Sequence, residues 1–324
     1  MAIDIRILGK RGADNAVLVT IDTGQHISRL LLDCGENTVA TLDYSESAQI
    51  DHVLFSHFHM DHVAGFDSFF RRNYDRADRI NHLWGPPGTI DIMGHRFCGF
   101  VWNLIGDRRA TWLCHDIGSS QVTTARYELA EAFAQAHAEE PHATPKMLFH
   151  GPGYHVEALT LNHGMPSIGY LVREDDRTNV DISKLAALGL KPGPWLKTLA
   201  EAEECMIDGT KHDAAMLRQS ILVRTPGDSM AFLTDFIAEG EEVDRIAHRL
   251  GSLGTLVCEC QYRASDEELA RRNRHMTTAW VGELARRISP KRLLLTHFSE
   301  RYPAAEWEQM VDEVRMIFPE VSAV

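Results

Sequence analysis

Ser56-His57-Phe58-His59-Met60-Asp61-His62 is the stretch whose reading decides the fold. It follows an apolar run, His52-Val53-Leu54-Phe55, that reads as a short buried strand. Residues just past the end of such a strand lie at the mouth of a sheet, where open α/β folds place ligands. Side chains alternate in an extended segment, so His57 and His59 point the same way, and a turn can bring Asp61 and His62 back toward them. Neutral imidazoles and a carboxylate are the borderline donors that zinc accepts. Packing alone has no use for so many donors side by side. They exceed what a single open zinc site takes, so the stretch predicts half of a two-metal site.

Working outward, three more donors stand at the ends of apolar runs. Ala158-Leu159-Thr160-Leu161-Asn162 leads to His163, Met230-Ala231-Phe232-Leu233-Thr234 to Asp235, and Arg292-Leu293-Leu294-Leu295-Thr296 to His297. One strand-end histidine means little, but strand ends along one sheet edge converge, and distant residues can then share a metal. The opening of the chain is β-rich: Ile3 to Leu8, Ala16 to Ile21 and Leu30 to Leu32, the last ending in Asp33. Asp33 reads as an acceptor that orients a metal-binding histidine.

Helices are expected between these strands. Residues 38–50 read as a short helix, and Phe66, Phe69 and Phe70 recur at helical spacing as a core-facing stripe. Ser265-Asp266-Glu267-Glu268 reads as a capping box opening the helix that holds Leu269 to Asn273. Val281, Leu284, Ala285 and Ile288 form one apolar face, and Ala304 to Phe318 the last amphipathic helix. Strands separated by helices indicate α/β layering. The segment 89–150 is the hardest to read; Arg126 to Glu139, rich in Ala and Glu, is assigned to a helix. His95, His115, His137, His142 and His150 lie there without ligand spacing and read as surface or core histidines. Residues 174–228, charged and then turn-rich, leave the core between two site strands and are expected to form an arm on a single domain spanning 1–324.

Composition narrows the function classes. A 44% hydrophobic share in 324 residues supports a sizeable core, and no run approaches the length of a membrane helix. The start of the chain carries no signal-peptide pattern, and the six cysteines are scattered, so reduced thiols in a cytoplasmic protein are expected. A net charge of −13 disfavours a protein that coats nucleic acid generally, and no DNA partner is expected.

With these residues in view, the chain resembles the ribonuclease Z family, the tRNA 3′-processing endonucleases of the metallo-β-lactamase superfamily. The specific matches are Asp33-Cys34-Gly35-Glu36, His163-Gly164-Met165-Pro166-Ser167-Ile168-Gly169-Tyr170 and Leu294-Leu295-Thr296-His297-Phe298-Ser299-Glu300-Arg301-Tyr302. Glu259 with Arg274-His275-Met276-Thr277 is similar to the family's Glu and His-Ser-Thr elements, and Lys191-Pro192-Gly193-Pro194-Trp195-Leu196-Lys197 to its tRNA-binding exosite. The resemblance implies a four-layer αβ/βα sandwich (metallo-β-lactamase fold) with an exosite-like arm and two zinc ions per chain, with Mn2+ or Fe2+ as alternatives. It implies that His57, His59 and His163 hold one ion, that Asp61, His62 and His297 hold the other, and that Asp235 bridges them.

Asp61 is then the expected general base. His275, oriented by Glu259, is the expected acid for the leaving oxygen. Lys191, Gly193, Pro194 and Lys197 would meet RNA, and a homodimer is implied. The chain departs from the family at Phe58, at Met60 where Gly is usual, at Asn37, and at Thr234-Asp235-Phe236 where Gly-Asp-Thr is usual. Bulk at Met60 and Phe236 is expected to narrow the cleft. The leading expectation is zinc-dependent processing of pre-tRNA 3′ ends. A second is hydrolysis of small phosphodiesters or other small esters, with residues 89–150 roofing the cleft. A third is a non-catalytic RNA-binding scaffold, which a full donor set with an open position argues against.

Overall fold

A computed structural model describes residues 3–323. The chain forms two compact units, parting between Glu174 and Asp175 and again between Gly227 and Asp228.

The larger unit is built on two sheets. In the first, strands Ile3–Gly9, Asn15–Asp22, Ile27–Leu32, His52–Leu54, Asn81–Gly85, Thr111–Ile117 and Gln121–Glu128 lie side by side in chain order. The four from Ile27–Leu32 to Thr111–Ile117 run parallel. In the second, strands Phe149–Gly151, Tyr154–Asn162, Pro166–Glu174, Ser229–Leu233, Thr255–Glu259, Arg292–Thr296 and Val321–Ala323 follow in order, the last four parallel. Alternation along each strand sorts the side chains into layers. Leu30 and Leu32 face the space between the sheets, where Val17, Val19, Leu54, Ile168, Tyr170, Phe232 and Val257 meet them. Leu31, Val53 and Phe55 face outward, under Phe66, Phe69 and Phe70 of the helix Phe66–Asn73. On the far side, Val243, Ile246, Val281, Leu284 and Val314 of three helices cover Leu171, Ala231, Leu256 and Leu293. The result is the expected four-layer helix–sheet–sheet–helix sandwich. Its parallel strands in both sheets deliver their carboxyl ends to the site.

Two local readings are corrected. Arg126 to Glu139 is not helical. Gln121–Glu128 is a strand antiparallel to Thr111–Ile117, followed by a short 3-10 turn at Leu129–Glu131. Ala125, Tyr127 and Leu129 are buried at a period of two, and that alternation outweighs the helix propensity of Ala and Glu. Residues 111–143 within the segment 89–150 therefore extend the first sheet. The capping box at Ser265 is also absent. Ser265 lies inside the 3-10 turn Ala264–Asp266, the helix starts at Glu267, and Asp266 at its N-cap position makes no side-chain cap, its carboxylate accepting the Tyr302 hydroxyl. A capping box does form at Asp43 and Glu46, opening the helix Tyr44–Ala48.

The smaller unit, 175–227, has two two-stranded ladders, Arg177–Val180 with Leu222–Thr225 and Glu204–Ile207 with Thr210–Asp213. Leu185, Leu199, Cys205, Ile207, Leu217 and Ile221 give it an apolar core of its own.

Candidate metal centre

Each donor is set by the strand it ends. Asp33 follows Ile27–Leu32, His57 follows His52–Leu54, Asp235 follows Ser229–Leu233 and His297 follows Arg292–Thr296. Asp33, Asp235 and His297 all take left-handed backbone, with φ of 57°, 47° and 56°. That conformation costs a non-glycine residue about 1 kcal/mol, and here it turns each side chain off its strand and into the site. His59 caps the short helix Met60–Val63, whose first turn returns Asp61 and His62 to the same point.

The side chains gather as two groups that share one residue. Donor atoms of His57, His59, His163 and Asp235 lie within 4.8 Å of one another, and so do those of Asp61, His62, Asp235 and His297. Asp235 Oδ2 is 3.6 Å from His57 Nε2 and 3.7 Å from His163 Nε2, while Oδ1 is 3.3 Å from His62 Nε2 and 3.5 Å from His297 Nε2. Asp61 Oδ2 stands 3.3 Å from both His62 and His297. Among the described residues, the buried Nε2 atoms of His57 and His62 have no hydrogen-bond partner. Buried polar atoms are rarely left so. Orphaned imidazole nitrogens facing carboxylates are what a divalent cation satisfies, so the residues present fit such a group.

Hydrogen bonds behind the site decide which nitrogen faces inward. His62 Nδ1 is 2.8 Å from Asp33 Oδ2, and Asp33 also accepts the Ser56 N–H and the Ser56 hydroxyl at 2.7 Å each. Ser56 Oγ lies 3.0 Å from His57 Nδ1. His163 Nδ1 donates to the Arg274 carbonyl at 2.9 Å. In each case Nε2 is left as the inward lone pair. Asp33 does what its strand-end position suggested. Ser56 and the Arg274 carbonyl were missed: a polar residue closing a fully apolar strand is a faint signal for the first, and a main-chain role leaves none for the second.

Electrostatics follow from the crowding. Burial, then His62, lowers the pKa of His57 to about 2, so it stays neutral. Burial also lowers His59. Burial opposes charge on His62 and His297, but the Asp235 carboxylate, with Asp33 at His62 and Asp61 at His297, outweighs it and raises both. Burial would raise Asp61, and its hydrogen bond with His297 and the nearby His62 imidazole reverse the sign. His275 Nδ1 lies 3.0 Å from Glu259 Oε2, and its Nε2 is 3.9 Å from Asp235. Burial pulls His275 down, yet the Glu259 carboxylate beside it holds it up at about 9. Glu259 is itself fully buried and also accepts the Phe236 N–H at 2.7 Å.

The expected narrowing at Phe236 is corrected: the left-handed turn at Asp235 sends that ring into the outer core, fully buried. Met60 instead stands 79% exposed. A cavity of about 330 Å³, lined by Asp14, Asp61, Gln261, His297, Ser299 and Glu300, adjoins the centre. His115 is a core histidine stacked on Trp84 at 3.7 Å. Lys191, Gly193 and Pro194 lie in the smaller unit just before the helix Trp195–Thr198, which carries Lys197, and the lysines are exposed.

Solved structures with this architecture bear out the fold. The metallo-β-lactamase fold protein YhfI from Bacillus subtilis aligns with a TM-score of 0.58 at 13% identity, covering 100% of this chain and 96% of that one. The short form of human tRNase Z aligns with a TM-score of 0.55 at 17% identity, covering 92% and 93%. The fold and the His/Asp cluster define a metal-dependent hydrolase of the metallo-β-lactamase fold. Residues 9–94 match the family described as anti-Pycsar protein Apyc1. Over a much longer span, a ribonuclease Z from Deinococcus radiodurans is 46% identical across 314 residues, 97% of this chain and 95% of that one. The chain belongs to the ribonuclease Z family. Among the described residues no helix is long and apolar enough to cross a membrane.

Proposed function

We propose that this protein is an endoribonuclease that cuts pre-tRNA at its 3′ end, using two zinc ions or, alternatively, Mn2+ or Fe2+. The observation that carries this reading is the pair of donor groups sharing Asp235, with an imidazole–carboxylate pair alongside. His57, His59 and His163 would hold one ion, Asp61, His62 and His297 the other, with Asp235 common to both. When bound, such a pair of ions acidifies water and neutralises phosphoryl oxygens.

The chain's own groups do the rest. Asp61, half-exposed at the cavity, accepts the proton of the attacking water. His275, aimed by Glu259, gives its Nε2 proton to the leaving oxygen. The products are a 3′-hydroxyl on the tRNA and a 5′-phosphate on the released trailer. Lys191, Gly193, Pro194 and Lys197 supply the RNA contact of the smaller unit, in a cytoplasmic homodimer.

The 330 Å³ cavity beside Asp61 and His297 is of small-molecule size and favours, as a second reading, hydrolysis of small phosphodiesters. The deciding experiment incubates the metal-loaded protein with a pre-tRNA and maps the cut at nucleotide resolution. A single cut at the 3′ end of the mature tRNA supports the first reading. Intact pre-tRNA with turnover of a chromogenic phosphodiester supports the second.

A further inference from the structure

Arg274 occupies a backbone position that suits another residue. It ends the helix Glu267–Asn273 in left-handed conformation, φ 60° and ψ 49°, where glycine or asparagine sits at least cost. Its carbonyl already has a task, holding His163 Nδ1, and any residue could perform it. The side chain is therefore what needs explaining. It folds across the turn that carries His163. A Cβ added at Gly164 would meet its Cδ and Nε at 2.7 Å, and Nη1 reaches Asn162 Oδ1 at 3.3 Å. Asn162 Oδ1 also accepts the Gly164 N–H at 3.2 Å, which fixes the turn beneath the guanidinium. Among the described residues no carboxylate pairs with Arg274, although four carboxylates, Asp33, Asp61, Asp235 and Glu259, surround the centre. An exposed, permanently charged fork thus stands at the rim, next in sequence to His275 and draped over the His163 loop.

We propose that the Arg274 side chain is a substrate-positioning group that binds a backbone phosphate of the RNA, the one adjacent to the scissile phosphate on the leaving-group side. Its guanidinium matches a phosphate with two parallel hydrogen bonds, and its neighbour His275 serves the leaving oxygen. The inference rests on the RNA reading above.

The test measures pre-tRNA cleavage by the metal-loaded full chain and by Arg274→Ala, Arg274→Lys and Arg274→Asn across a salt series. Arg274→Ala should raise KM about 10- to 100-fold, more than it lowers kcat. It should also flatten the dependence of log KM on log salt by about 0.7 to 0.9, the share of one phosphate contact. Arg274→Lys should restore most of that slope. Arg274→Asn, suited to the left-handed backbone, should fold at least as stably and still show the alanine variant's KM. An unchanged KM and slope in Arg274→Ala would overturn the inference. So would equal losses in the Ala and Lys variants accompanied by lost metal, which would assign the side chain to bracing His163. If the unmodified chain makes no cut at all, the RNA reading itself fails, and that outcome is distinct from the others.

Discussion

Asp33→Asn tests the centre most sharply, because the change alters one atom and no shape. Asp33 accepts three hydrogen bonds: the Ser56 N–H on Oδ1, and the Ser56 hydroxyl and His62 Nδ1 on Oδ2. A backbone N–H can only donate, so the amide oxygen of asparagine is pinned at the Oδ1 position. The NH2 group must then occupy Oδ2 and face His62 Nδ1. Two N–H groups cannot point at each other, so His62 must carry its proton on Nε2, the nitrogen that faces Asp61 and Asp235. The inward lone pair is lost. Altering such a supporting partner typically costs 10- to 100-fold in metal affinity, about 1.4–2.7 kcal/mol. The fold should survive, because asparagine tolerates the left-handed φ of 57° at this position better than most residues. The assay is metal content after dialysis against a graded chelator series, with circular dichroism confirming the fold. Asp33→Ala sharpens it: the isosteric variant should hold metal no better than the truncation. An Asp33→Asn protein that keeps its metal at the chelator level the unmodified chain withstands would refute the tautomer reasoning.

Three further outcomes follow from the same geometry. His275→Ala should lower turnover by about 100-fold or more while leaving metal content unchanged, since general acids contribute on that scale; loss of metal instead would make His275 a ligand. Asp235→Ala should weaken both halves of the centre together, because its two oxygens face different histidine sets; two full equivalents retained under chelator would exclude a shared role. In the metal-free protein, His275 is raised from an unfolded value near 6.5 to about 9, so its stabilising contribution is full below about pH 6.5 and lost as pH rises through about 9. Glu259→Gln should therefore narrow the melting-temperature gap to the unmodified chain across that window; parallel profiles would disprove the pairing.

Much of the centre was legible because its donors sit at the ends of apolar runs, and parallel strands bring such ends to one edge. His163 and His297 follow their strands directly and Asp235 one residue on, and the layers follow from alternation at Leu30, Leu31 and Leu32. What stayed hidden belongs to tertiary context. The strand Gln121–Glu128 looks helical by composition at its end, and only its partner Thr111–Ile117 reveals the period of two. The capping box at Ser265 failed because Ala264–Asp266 winds into a 3-10 turn, which leaves Asp266 rather than Ser265 at the N-cap position. The direction of Phe236 depends on a left-handed φ at Asp235 that no side-chain pattern announces.

Those left-handed residues also tie the fold to the chemistry. A strand that simply continued past Leu32, Leu233 or Thr296 would alternate its next side chains above and below the sheet. The reversal at Asp33, Asp235 and His297 breaks the alternation at the one edge where it must be broken. The strain is small against the sandwich core that anchors each strand. Its distribution leaves the two donor groups unequally braced. In one, Ser56 stands against His57 and the Arg274 carbonyl fixes His163. In the other, Asp33 fixes His62, but His297 Nδ1 is buried without a partner among the described residues, and the Asp61 side chain is 44% exposed. The looser half is also the half that opens on the cavity. In the mechanism proposed above, Asp61 exchanges a proton with water there, and its exposure gives that water access. Support behind His57, His163 and His62 and freedom at Asp61 thus serve the proposed reaction together.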